Sequence, residues 1–201
     1  MNGIDLGRAA AASQALLSAS LSDGASWDVP VPGLRWTVAE TAAHLADVLL
    51  AFATDLAAGP RELRRDGPCV SPETDPADLV ASVGAHATVL AAVVDASGPE
   101  ARGWHPLGLA DPDGFAAMGC DELLVHTDDA ARGLGRVFTP PAGLAEAVLR
   151  RLFPWAPAGG DPWATLRWAN GRAELPGHGR LEPWRWHCAP LDEWDGRAPS
   201  V

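Results

Sequence analysis

The chain contains no lysine and no tyrosine; all 15 of its basic residues are arginine. Schiff-base chemistry on a lysine amine and proton transfer by a phenol are therefore excluded. Cysteine is scarce. Cys69, Cys120 and Cys188 lie far apart and form no CxxC pair, so neither a disulfide framework nor a thiolate zinc ribbon is indicated. A zinc anti-sigma domain, with its His-x-x-x-Cys-x-x-Cys run, is disfavoured on the same ground. Positive charge is in deficit: 26 acidic residues give a formal net charge of -11. Nucleic acid and anionic membrane both ask for a basic footprint, so neither is expected as a partner. No uninterrupted apolar run approaches the ~20 residues of a membrane span. The N-terminus lacks the pattern of a signal peptide, because Asp5 precedes Arg8 and Ser13, Gln14, Ser18 and Ser20 break the alanine-rich stretch. The expectation is a soluble, cytoplasmic protein.

What is present is ordinary globular material. The 201 residues are 47% hydrophobic and 20% charged, enough for one sizeable core. Four long segments read as helices: about Ile4 to Leu21, Val38 to Ala58, Pro76 to Ala96 and Gly114 to Leu134. Thr37 and Glu40 form a T-x-x-E capping box at the second, with Trp36 placed as its hydrophobic staple. Asp75 and Pro76 supply the N-cap and first position of the third. Gly135 ends the fourth. A shorter helix is expected from Pro141 to Phe153. The stretches between, rich in Pro, Gly and Asp, read as loops. Four amphipathic helices of similar length suggest a bundle over residues 1–137.

Beyond Phe153 the composition shifts. Six of the nine tryptophans lie there, with five Arg against six acidic residues, where the first 153 residues carry ten against twenty. Thr165 to Ala169, the pair Asn170-Gly171 and Arg172 to Leu175 read as a β-hairpin, since Asn-Gly is the strongest two-residue turn signal. Trp184 to Cys188 alternates with period two and reads as a third strand. Residues 138–201 are thus expected to form a short helix and a Trp-rich β tail. Its apolar faces should pack on the bundle, with some residues near a cavity mouth; a homodimer contact is the alternative.

The sharpest chemical feature is Glu122-Leu123-Leu124-Val125-His126. Glu and His at i and i+4 share one helix face, and carboxylate plus imidazole suits a divalent ion of borderline softness such as zinc. His44 stands at the edge of the apolar stripe of the second helix. Singly, these are also what a solvated ion pair and a boundary histidine look like. Together they gain weight, because facing helices bring ligands to one point. Asp47 and Asp129 are candidate acceptors for ligand imidazoles. His86 shares a stripe with Leu79, Val83, Leu90 and Val93 and could approach the same place.

Trp36-Thr37-Val38 followed by His44-Leu45-Ala46-Asp47, and later Asp121-Glu122-Leu123-Leu124-Val125-His126-Thr127-Asp128-Asp129, resemble the motifs of the DinB-like superfamily. The closer likeness is to the branch named for mycothiol-dependent maleylpyruvate isomerase, over roughly residues 5 to 135. The resemblance implies a four-helix bundle holding one divalent metal, zinc by expectation, through His44, Glu122 and His126. It further implies mycothiol or a related thiol as cosubstrate, and isomerase or S-transferase activity on a small electrophile. The chain departs from the branch in two ways. Asp128 stands where an aromatic residue is usual, and a short tail replaces a C-terminal domain of the sterol-carrier type. The alternative is a non-catalytic binding or stress-associated bundle whose metal is structural or absent.

Overall fold

A computed structural model describes residues 1–198. The described residues are mainly helical, with six α-helices packed together and no sheet: α1 (Gly3–Ser22), α2 (Val38–Ala58), α3 (Pro76–Ala96), α4 (Pro112–Gly133), α5 (Leu144–Leu152) and α6 (Pro162–Ala169). The start signals are side-chain caps. Asn2 accepts from the amides of Ile4 and Asp5. Thr37 and Glu40 close the capping box in both directions, at 3.1 and 2.7 Å. The same device, Asp followed by Pro, opens three helices: Asp75 caps α3, Asp111 caps α4 and Asp161 caps α6. Each acid satisfies one of the orphan N–H groups of a first turn, and the proline has no N–H to lose.

Helices α1 and α2 each pack against both α3 and α4, and α4 also meets α5. Eighteen of the 22 residues of α4 are buried, so it is enclosed on every side rather than on one stripe. Gly119 lets its neighbours close in: a Cβ there would lie 2.7 Å from methyls of Leu6 on α1 and Leu90 on α3. Burying this helix brings Asp121, His126, Thr127, Asp128 and Asp129 into the interior. Buried charge costs free energy unless it is paired, which marks this stretch of α4 as the place to look for a site. Against expectation, α2 and α3 are each long and apolar enough, by length and composition, to cross a membrane. Their apolarity is spread among alanines and interrupted by residues such as His44 and His86, so no single unbroken run announces it.

The β tail is a correction. Residues 165–175 form no hairpin, and no strand occurs among the described residues. Asp161-Pro162 starts α6, and Asn170-Gly171 terminates it. Gly171 has φ +63°, its amide donates to the carbonyl of Trp168 at 2.8 Å, and the Arg172 amide donates to that of Arg167 at 2.7 Å. These two bonds make a Schellman cap. Asn-Gly suits positive φ in either setting, and the Asp-Pro nine residues upstream decides for a helix. Residues 184–188 form no strand; the His187 amide donates to the Leu152 carbonyl at 2.8 Å. Their alternation is real. Trp186 and Cys188 are buried in the same core as α2 and α4. Arg151, 2% exposed, fastens this segment. Its guanidinium pairs with Asp111 and Asp113 and donates to the carbonyls of His187 and Cys188.

Candidate metal centre

Helix α2 carries His44 and helix α4 carries Glu122 and His126 to one point. Ligand atoms from the three side chains lie within 4.8 Å of one another. Glu122 Oε2 is 3.0 Å from His126 Nε2 and 3.6 Å from His44 Nε2. A tetrahedral ion with ligands at ~2.0–2.1 Å sets those ligands about 3.3 Å apart, between the two observed distances. Although both ring nitrogens are near, Glu122 Oε2 is buried and receives no properly directed hydrogen bond. Lone pairs converging without an aligned N–H are what a cation site requires. The residues therefore fit a divalent ion.

The surroundings hold these groups in place. His126 Nδ1 lies 3.2 Å from Asp129 Oδ2, the position from which a carboxylate steadies a metal-ligating imidazole. Asp129, fully buried, is gripped by Arg172 Nε at 3.1 and 3.3 Å and by Arg132. Trp36 lies against the imidazoles, its ring 4.7 Å from that of His44 and 6.0 Å from that of His126. It thus covers the site rather than serving only as the staple foreseen for it.

Electrostatics follow from burial and partners. Burial opposes ionisation of Glu122, but the His126 and His44 imidazoles beside it outweigh this and hold the carboxyl far below its usual range. For His126 burial disfavours the charged ring, yet Asp129 and Glu122 overcome it and raise the imidazole to about 9. Burial and then the Glu122 charge push Asp121 up to about 7, although Trp186 and Asn170 both donate to it.

Of the other expected site residues, Asp129 stands beside a ligand imidazole and two do not. Asp47 accepts the backbone amides of Cys69 and Val70 at 2.8 and 3.0 Å. It ties the loop after α2 to the helix instead of supporting an imidazole. His86 Nδ1 bonds the Ala46 carbonyl at 2.8 Å, linking α3 to α2. For both residues the observed hydrogen-bond partner is a backbone group.

A cavity of about 250 Å³ opens beside the cluster. Arg35 and Trp36 border it on one side and Asn170, Arg172 and Trp184 on the other. The sequence reading missed that the tail answers the acids of α4 one by one. Asn170 and Trp186 donate to Asp121 at 2.9 and 2.8 Å, Arg167 pairs with Asp128 at 3.2 Å, and Arg172 with Asp129. Asp128, the departure from the branch motif, is thereby an ion-pair partner of α6. No local signal in the sequence named these partners.

A mainly helical chain with a His/Glu/His cluster beside an internal cavity defines a class: helical proteins able to hold a metal ion between their helices. Comparison with family models narrows it. Residues 6–131 match the model described as "Mycothiol maleylpyruvate isomerase N-terminal domain". The chain belongs to this mycothiol-associated, DinB-like, metal-binding family. Searches of curated proteins and of solved structures found no match.

Proposed function

We propose that the protein is a divalent-metal enzyme, with zinc the expected ion, which uses a low-molecular-weight thiol such as mycothiol as isomerase or S-transferase on a small electrophile. In this reading α1 to α4 are the DinB-like four-helix bundle. The observation that carries it is the His44/Glu122/His126 cluster, three ligand groups on the wall of a cavity, with no fourth His, Cys, Asp or Glu in the cluster among the described residues. Three protein ligands beside open space are the pattern of a catalytic site, whereas a structural site is closed by four.

A bound cation would supply one thing, stabilisation of a thiolate near neutral pH. The residues do the rest. Trp36 shields the imidazoles, Asp129 orients His126, and the tail residues wall the cavity. Two of the chain's three thiols are poor nucleophiles, and the third, Cys69, is exposed on the loop after α2. Burial raises Cys120 well above the ordinary thiol range and pushes Cys188 up to about 12, so both are inert near neutral pH. The cavity is smaller than most ligand pockets, which run about 300–1,000 Å³. His44 also borders a groove of about 500 Å³ between α2 and the following loop, which offers room for the rest of a thiol cosubstrate. In the S-transferase reading the thiolate sulfur bonds to an electrophilic carbon as that carbon's bond to a leaving group, such as a halide, breaks, and the thioether and the leaving-group anion depart. In the isomerase reading it adds to an activated double bond, the new single bond rotates, and elimination restores both thiol and double bond.

The test is thiol consumption, or cis–trans conversion, with a panel of activated alkenes and alkylating electrophiles. Zinc-loaded protein should accelerate the reaction, and a chelator should remove the acceleration. Full metal occupancy with no acceleration across the panel would instead favour a non-catalytic bundle.

A further inference from the structure

The family match ends at residue 131, yet Arg172 reaches the candidate metal centre from outside it. Three features set this residue apart. Its Nε faces both oxygens of Asp129, at 3.1 and 3.3 Å. Its Nη1 donates to the Asn170 carbonyl at 3.1 Å, so the guanidinium is held from both sides. And the Schellman cap at Gly171 fixes the backbone from which it projects. A guanidinium is a planar fork that fixes direction as well as charge. Asp129 in turn lies 3.2 Å from His126 Nδ1. A chain of contacts therefore runs from the end of α6 through Arg172 and Asp129 to a ligand imidazole, its last step an ion-pair distance and not an aligned hydrogen bond.

We propose that Arg172 is a positioning residue of the metal centre: it clamps the Asp129 carboxylate against His126 and so makes the C-terminal segment a working part of the site. The proposal rests on the metal-binding reading given above. Arg132 also holds Asp129, but it comes from α4 itself, one turn from its partner. Among the described residues, Arg172 is the one that ties the carboxylate to the tail. Orienting partners of ligating imidazoles are worth about 10–100-fold in metal affinity. With Arg132 still in place, loss of Arg172 is expected near the low end, about tenfold.

The experiment uses the full chain and two ions, zinc in competition with a chromophoric chelator and cobalt followed by its visible absorption. Arg172→Gln should weaken zinc binding about tenfold and shift the cobalt bands, because the His126 ring loses its fixed orientation. Arg172→Lys keeps the charge and loses the fork, and should fall between. Arg167→Gln, which removes the neighbouring pair to Asp128, is the control and should leave zinc affinity and cobalt bands near wild type. Circular dichroism of the metal-free proteins identifies any folding failure; should Arg172→Gln fail to fold, Arg172→Lys decides. Wild-type affinity and unchanged bands in the folded Arg172 variants would overturn the positioning role while leaving the metal reading intact. An equal loss in Arg167→Gln would also overturn it, by showing a general charge effect. Failure of wild-type protein to bind either ion would overturn both.

Discussion

Protons and metal compete for His126, and the two states of the protein should therefore respond to pH in opposite directions. In the metal-free protein Asp129 and Glu122 raise this imidazole to about 9, against an ordinary value of 6.5. A group whose folded value is raised stabilises the fold fully below its unfolded value, about 6.5, and that contribution disappears as pH climbs through about 9. The difference corresponds to about 3 kcal/mol at most, from ~1.4 kcal/mol per unit. Metal-free protein should thus lose thermal stability between about pH 6.5 and 9. Metal binding needs the neutral ring, so affinity should rise about tenfold per pH unit over the same range and level off above it. Near pH 7 about one proton should leave His126 for each ion bound; Glu122 adds none, since it is already ionised. Chelator competition across this range gives the slope, and calorimetry in buffers of different ionisation enthalpy gives the proton count. An affinity that stays flat from about pH 7 to 8.5, with no proton released, would refute the reasoning.

Three further outcomes are expected. His126→Ala should abolish tight metal binding while the far-ultraviolet circular dichroism stays helical, because the helices are held by their apolar faces and not by the ion; joint loss of metal and helicity would instead mark the ion as structural. Arg151→Met should cost about 1–3 kcal/mol in denaturant unfolding, because it removes a buried guanidinium that pairs with part-exposed Asp111 and Asp113 and leaves the His187 and Cys188 carbonyls without its N–H donors; a cost under about 0.5 kcal/mol would show that water replaces the lost donors. Deletion from Asp161 onward should impair solubility, since it uncovers the core under Trp168, Trp186 and Cys188 and removes both donors to Asp121; a soluble truncated chain with unchanged metal content and thiol reactivity would show that the tail is neither core nor cavity wall.

The sequence was most legible where local chemistry decides. The bounds of α2 and α3 coincide with those read from Thr37-x-x-Glu40 and Asp75-Pro76, because caps act over one turn. The same Asp-Pro signal at Asp111 and Asp161 was passed over. That moved the start of α4 by two residues, and it let Asn170-Gly171 be read as a hairpin turn. The i, i+4 spacing of Glu122 and His126 was legible for the same local reason. Their meeting with His44 followed from the family likeness together with helix packing. The wider surroundings were not legible. Asp47 and His86 went to backbone groups, and Arg172, forty-odd residues beyond Asp129, has no sequence mark that names its partner. Such pairings depend on where the chain returns after α5, which no local pattern encodes.

The most direct test of the account is metal content per chain for wild type and His44→Ala, purified side by side, loaded with zinc and desalted. His44 comes from a different helix than the other two ligands and is part-exposed, so its loss should spare the fold. The account predicts about one zinc per wild-type chain and almost none in the variant. Equal zinc in both proteins, or none in wild type, would contradict it.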